Sequence, residues 1–161
     1  MDFYQDEEKN LLRRILNWGV DIILVVAFAW FTVYMFGTEV KIAGNSMAPA
    51  LESGDVVLMN RLPGVLFGPG RFDLVVFERE DKKTNVKRVI GLPGETVQIT
   101  AGYVFIDGQP LKAENGLSQV SLAGLAEHPV TLGKDEYFLL GDNRDSSEDS
   151  RFINIGNVKR E

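Results

Sequence analysis

Two residues in this chain sit in settings that ask for chemistry. Ser46 lies in Gly44-Asn45-Ser46-Met47-Ala48-Pro49-Ala50-Leu51, just after a long apolar stretch. Lys87 lies in Val86-Lys87-Arg88-Val89-Ile90-Gly91-Leu92-Pro93-Gly94-Glu95, a strand-like run closed by a Pro-Gly turn. A serine hydroxyl is a weak nucleophile until a base removes its proton, and a lysine can be that base if an apolar site lowers its pKa. The chain holds one histidine and no cysteine, so Ser-Lys is the nucleophilic pair its composition most readily allows. Met47 and Pro49 pin a turn that presents Ser46, while Gly44 would let another backbone come close. The plainer reading makes Ser46 an inert loop residue and Lys87 part of a solvated hairpin, Lys82 to Arg88. Strand alternation puts Lys87 and Val89 on one face, with Arg88 and Ile90 on the other. An inward lysine beside valine would be desolvated, and Arg88 would then point outward or pair with a carboxylate.

A third cluster, Gly141-Asp142-Asn143-Arg144-Asp145-Ser146-Ser147-Glu148-Asp149-Ser150-Arg151, mixes acids with arginines. Its spacing departs from a calcium-binding EF-hand, which needs a central glycine and a closing glutamate. Paired Asp and Arg side chains can tie such a loop into a fixed shape, and a serine hydroxyl can orient a neutral amine. His128, with no second His or Cys near it, reads as a plain surface residue.

The elements that must position these residues are an anchor and a β domain. At 161 residues the chain has room for one compact domain besides an anchor. A net charge of -6 argues against nucleic acid as a partner, since phosphate binding needs surplus Lys and Arg. The absence of cysteine removes disulfides and thiolate metal sites. Ile22 to Phe36 carries no charge and is apolar on every face, unlike a surface helix with a polar stripe. Those 15 residues make roughly 22 Å of helix, short of a ~30 Å hydrocarbon core, and extension to Trp18 takes in Asp21. A buried helix or a secretory leader would also be apolar, but Tyr34-Met35-Phe36 lacks the small residues of a leader cleavage site. The reading is therefore a single span, with residues 1–17 a cytoplasmic segment, 18–37 the transmembrane anchor and 38–161 an extracytoplasmic domain. Lys9, Arg13 and Arg14 precede the span, while Glu39 and Lys41 balance beyond it, which places the N-terminus in the cytoplasm.

After the anchor, short β-branched runs dominate. Strands are expected at 56–59, 73–77, 87–90, 96–99, 103–106 and 136–140, separated by turns such as Gly68-Pro69-Gly70 and Asp107-Gly108. The fold class expected is mostly β, antiparallel, with crossed or coiled sheets. Ala113 to Pro129 is the least regular stretch and reads as a surface excursion. The apolar loop Leu62 to Pro69 is either packed under its neighbours or dips toward lipid.

In order along the chain, the motifs resemble bacterial type I signal peptidase, a Ser-Lys serine endopeptidase. They are Ser46-Met47-x-Pro49 after an anchor, Gly54-Asp55-Val56-Val57, Asp73 to Phe77, Lys87 to Glu95, and Gly141 to Arg151. The resemblance implies a signal-peptidase-type β domain that removes signal peptides from exported preproteins, cutting after small residues, at the outer face of the lipid bilayer. It makes Ser46 the nucleophile, whose backbone N–H serves the oxyanion, and Lys87 the general base. Ser147 would orient the lysine amine, while Asp149, Arg88 and Arg151 support the site. It implies no cofactor and no metal. The substrate would lie extended against an exposed strand. The small size and single anchor resemble Gram-positive members. Gly44 stands where many members carry a hydroxyl residue, Ala50 where threonine is usual and Ser146 where asparagine is usual. Relatives commonly continue past Glu161 with another strand, so that end is either short by nature or cut. A non-catalytic role in pilus assembly is the alternative, which retention of Ser46 and Lys87 opposes. A self-cleaving Ser-Lys repressor would need a DNA-binding domain that Phe3 to Asn17 cannot hold. Whether the substrates are general or a dedicated pilin stays open.

Overall fold

The computed structural model describes residues 3–79, 82–112 and 119–160. They divide into two units, Met1–Glu39 with Leu58–Leu62, and Val40–Val57 with Pro63–Glu161.

In the first unit, helix α1 runs over Phe3–Phe36 without interruption. It therefore takes in most of the segment that the sequence reading kept apart as residues 1–17. Charged N-terminal residues and apolar ones share a single helix because no proline or turn signal separates them. The stretch Arg13–Phe36 is long and apolar enough to cross a membrane, and most of its side chains are exposed. Trp30 stacks on Tyr34 at 5.6 Å, and the Arg61 guanidinium lies 5.0 Å from the Tyr34 ring. The helix closes at Gly37, whose N–H donates to Val33 O at 2.7 Å.

The remainder is β-rich and antiparallel, as expected. Strands β1 (Thr38–Lys41) and β2 (Val56–Met59) form a two-stranded sheet, and α2 (Leu62–Leu66) is a short helix. A four-stranded sheet has the order β10 (Val158–Lys159), β9 (Glu136–Leu140), β4 (Thr84–Gly91) and β3 (Leu74–Glu78). A second has the order β7 (Gln109–Pro110), β6 (Tyr103–Ile106), β5 (Thr96–Thr100) and β8 (Val130–Thr131). Asp107-Gly108 is the expected two-residue hairpin, with both residues at positive φ. Strands β1, β7, β8 and β10 are not among those expected; the last three have two residues each, too few to establish alternation.

The sheets enclose a core of Ile90, Val97, Ile99, Val120, Ala126, Leu132, Phe138 and Leu140. The register of β4 against β9 shifts between Val89 and Gly91, and consecutive residues of β4 are buried because both faces of the sheet are covered. Val89 packs with Tyr137 and Leu139 while Ile90 joins Phe138 and Leu140 in the main core, so successive side chains keep alternating between two buried faces. The excursion Ala113 to Pro129 also needs correction. Residues 113–118 lie outside the described residues, but Val120 and Ala126 are core, the latter within a 3₁₀ turn, Gly124–Glu127. Its irregular pattern reflects burial of single residues rather than of a periodic face. The apolar loop lies on the surface, with Phe67 85% exposed, and His128 is exposed as read.

Candidate active site

Ser46 sits in a turn rather than a strand. Asn45 O accepts from Ala48 N, Met47 O accepts from Leu51 N, and the Met47 side chain is fully packed. Anchoring Met47 fixes the direction in which its neighbour presents a hydroxyl. Lys87 comes from the middle of β4, paired to Val75 of β3. Its side chain is 2% exposed, and Nζ lies 2.7 Å from Ser46 Oγ in a hydrogen bond spanning 41 residues of sequence. Burial lowers the pKa of the Lys87 amine. Asp149 and Glu148 oppose that shift, while the Arg79 charge adds to it.

The loop after β9 holds the rest. Asp149 is 0% exposed and collects five donors, one of them the Arg151 backbone N–H at 3.3 Å. Arg151 Nε reaches Oδ1 at 2.7 Å and Nη2 reaches Oδ2 at 2.9 Å, while Ser147 Oγ donates at 2.8 Å and Gly141 N at 3.0 Å. Arg151 also donates to the carbonyls of Leu122 and Arg144. A buried carboxylate is tolerable here because its lone pairs are satisfied and its charge is matched. Ser150 lies along β9, exchanging bonds with Leu139 through its N–H and its hydroxyl oxygen.

The expected residues separate into three groups. Ser46 and Lys87 meet. Ser147, Asp149 and Arg151 form one network, in which the Ser147 hydroxyl donates to Asp149; among the described hydrogen bonds none joins Ser147 to Lys87. Arg88 leaves that network and pairs with Asp142, its Nε on Oδ1 at 2.7 Å and its Nη2 on Oδ2 at 2.5 Å. This two-point bond with Asp142 raises the Arg88 pKa.

Sequence reasoning missed three contributors in this loop. Asp142 was legible only as one of several acids. Asn143 N donates to Ser46 O at 3.1 Å, so the loop grips the backbone of the serine turn. Gly141 is the close approach that had been assigned to Gly44. A Cβ on Gly141 would stand 2.2 Å from Ser147 Oγ and 2.6 Å from Ser46 O. Gly44 instead faces open space, and its φ of +85° is what calls for glycine there. Arg144 is 4% exposed and its Nε lacks a hydrogen-bond partner. Burial, then the nearby Arg151 charge, lower its pKa.

What the arrangement can do is acyl transfer. A serine hydroxyl bonded to a buried amine has the makings of a nucleophile and a base, and among the described residues the Ser46 N–H makes no hydrogen bond, leaving it available to an oxyanion. A cleft beside Ser46 is lined by residues 40–43 and Met47 on one side and by residues 84–86 on the other. Along that stretch β4 pairs with β3, whereas its pairing with β9 begins only at Arg88. One edge of Thr84 to Val86 is therefore open to an added strand. No group of His, Cys, Asp or Glu among the described residues is arranged to hold a metal ion.

Comparison with known proteins bears on this geometry. Residues 15–161 match the family model described as signal peptidase, peptidase S26. A signal peptidase I P of Bacillus subtilis subsp. natto is 35% identical over 91% of this chain and 83% of its own length. Signal peptidase I of Leptolyngbya laminosa is 36% identical over 90% of this chain and 72% of its own. Signal peptidase I T of Bacillus subtilis is 36% identical over 89% and 78%.

Proposed function

The chain belongs to the signal peptidase family, peptidase S26, and from that premise we propose that it cleaves signal peptides with Ser46 as nucleophile and Lys87 as general base. The observation that carries the assignment is the 2.7 Å bond between Ser46 Oγ and a lysine amine withdrawn from water. A buried amine is neutral at a lower pH than an exposed one, so it can take the hydroxyl proton as Oγ attacks the scissile carbonyl. The oxyanion forms toward the Ser46 N–H. The lysine ammonium then gives its proton to the departing amine, leaving an ester on Ser46. Water, deprotonated by the same amine, attacks that ester and frees the signal peptide's new carboxylate.

The substrate lies extended in the cleft, adding backbone pairing to the open edge of Thr84 to Val86 and presenting small residues at the first and third positions before the cut. Ser147 acts through Asp149, whose charge faces the lysine and steadies its protonated form between the two proton transfers. The anchor lies within Arg13–Phe36, whose 24 residues make roughly 36 Å of helix, enough for a ~30 Å hydrocarbon core. Positive charge ahead of it puts the N-terminus in the cytoplasm and the β domain on the outer face, where preproteins emerge.

The test is cleavage of a preprotein with an alanine-x-alanine site, in liposomes, by wild type, S46A and K87A. Wild type alone should cut at that site, with each variant down on the order of 10³-fold or more. Comparable turnover by either folded variant would overturn its assigned role. S147A should lose less than either, because it holds Asp149 rather than exchanging the proton.

A further inference from the structure

One ion pair beside the dyad has no part in the chemistry above. Arg79 directly follows β3, and its Nη1 donates to Glu148 Oε2 at 2.8 Å across 69 residues of sequence. Glu148 stands between Ser147 and Asp149, so the pair ties the β3–β4 hairpin to the loop that carries the buried carboxylate. The Arg79 backbone is held within the hairpin, its N–H on Lys83 O at 3.0 Å and its carbonyl accepting from Lys82 N at 2.8 Å. Only the side chain crosses. The arginine is mostly covered and the glutamate mostly exposed. Pairs of that kind add little to stability, so the position of this one is its informative feature.

That position joins the hairpin whose strand β4 carries Lys87 to the loop whose acids act on its amine. The groups acting on the amine are Asp149 and Glu148 from the loop, Arg79 from the hairpin and the Ser46 hydroxyl from the turn. Arg88, the lysine's neighbour on β4, is turned to Asp142. Asp149 is already matched by Arg151. Arg79 disfavours the ammonium form of Lys87 and Glu148 favours it. Joined, the two charges largely offset each other at the amine; either one alone would not.

We propose that Arg79 and Glu148 are positioning residues for the cleavage reaction, a charge-balanced latch that holds the catalytic loop to the β3–β4 hairpin and keeps the field at the Ser46–Lys87 dyad close to neutral. The proposal rests on the reading of Lys87 as general base, and the experiment separates the two. The full chain in liposomes is assayed on the alanine-x-alanine preprotein for kcat/KM across pH, as wild type, R79Q, E148Q, the double variant, R79K and K87A.

Wild-type kcat/KM should rise from the acid side as Lys87 loses its proton. Losing Arg79 removes a charge that opposes protonation, so R79Q should move the acid limb to higher pH. Losing Glu148 removes one that favours it, so E148Q should move the limb to lower pH. The double variant should fall between the singles, R79K should return to wild type, and high salt should draw the curves together because these charges are screened. A merely structural latch predicts loss of rate with the limb in place. Limbs that stay put, or that move the same way in both single variants, would overturn the proposal while K87A remains inactive. An active K87A would overturn the general-base reading itself, and this proposal with it.

Discussion

Lys87 is a residue kept at a cost to the fold. Its amine is buried, and the attraction of Asp149 offsets only part of the loss of water, since the net shift in pKa is downward. The sign for stability follows. The unfolded chain carries a lysine with an ordinary, higher pKa, so between the two values unfolding takes up a proton. Over that window stability rises with pH, and the penalty fades only as pH reaches the ordinary lysine range. Lys87→Met removes the penalty and keeps an apolar stem of similar length. It should abolish cleavage while leaving the urea midpoint at neutral pH unchanged or higher, with the difference from wild type shrinking as pH rises toward 10. Asp149 is the opposite case. Asp149→Ala leaves the Arg151 guanidinium, 2% exposed, without its carboxylate. Removing one partner of a buried pair costs about 3–5 kcal/mol, which urea unfolding would register as a lower midpoint.

At the scale of elements, the site depends on how β4 and the loop after β9 approach the serine turn. Strand β4 supplies Lys87 and Arg88 in succession, one to the dyad and the other to Asp142. The loop bonds to the serine turn through Asn143 and passes closest to it at Gly141. Gly141→Ala puts a methyl into both Ser147 and the Ser46 carbonyl, and the turn must move to admit it. Displacements near 1 Å at a reacting group cost about 10²-fold in rate. The variant should therefore fall by that order in kcat, measured on the alanine-x-alanine preprotein, with circular dichroism confirming an intact β domain.

The whole molecule joins an apolar helix to a β domain, and the function proposed above assigns the helix to a membrane and the chemistry to the β domain. A charge at the centre of the helix tests the anchor independently of the chemistry. Val26→Arg lies near the middle of Arg13–Phe36 and should weaken insertion by about 2.5–3.5 kcal/mol. Carbonate extraction should then release more of the variant than of wild type. Orientation is tested by protease added outside spheroplasts: it should reach the β domain while a tag at the N-terminus survives.

What could be read without coordinates was local. The uncharged run Ile22 to Phe36, the Asp107-Gly108 hairpin, the strands at 56–59, 103–106 and 136–140, and the motifs around Ser46, Lys87 and Gly141 to Arg151 all depend on neighbours within a few residues. Propensity, turn chemistry and motif spacing act over that range. The burial of Lys87 was arguable from alternation, yet its meeting with Ser46 depends on a turn 41 residues away. Tertiary structure also decided which carboxylate each arginine takes: Arg88 and Arg151 are both near Asp-rich sequence, but the register of β4 against β9 delivers the first to Asp142 and leaves Asp149 to the second. The same holds for Gly141 rather than Gly44 as the close approach, for the core roles of Val120 and Ala126, and for the pair Arg79–Glu148. Partners across a fold are chosen by sheet order and strand register, and a charge in the sequence carries no label for the one it will meet.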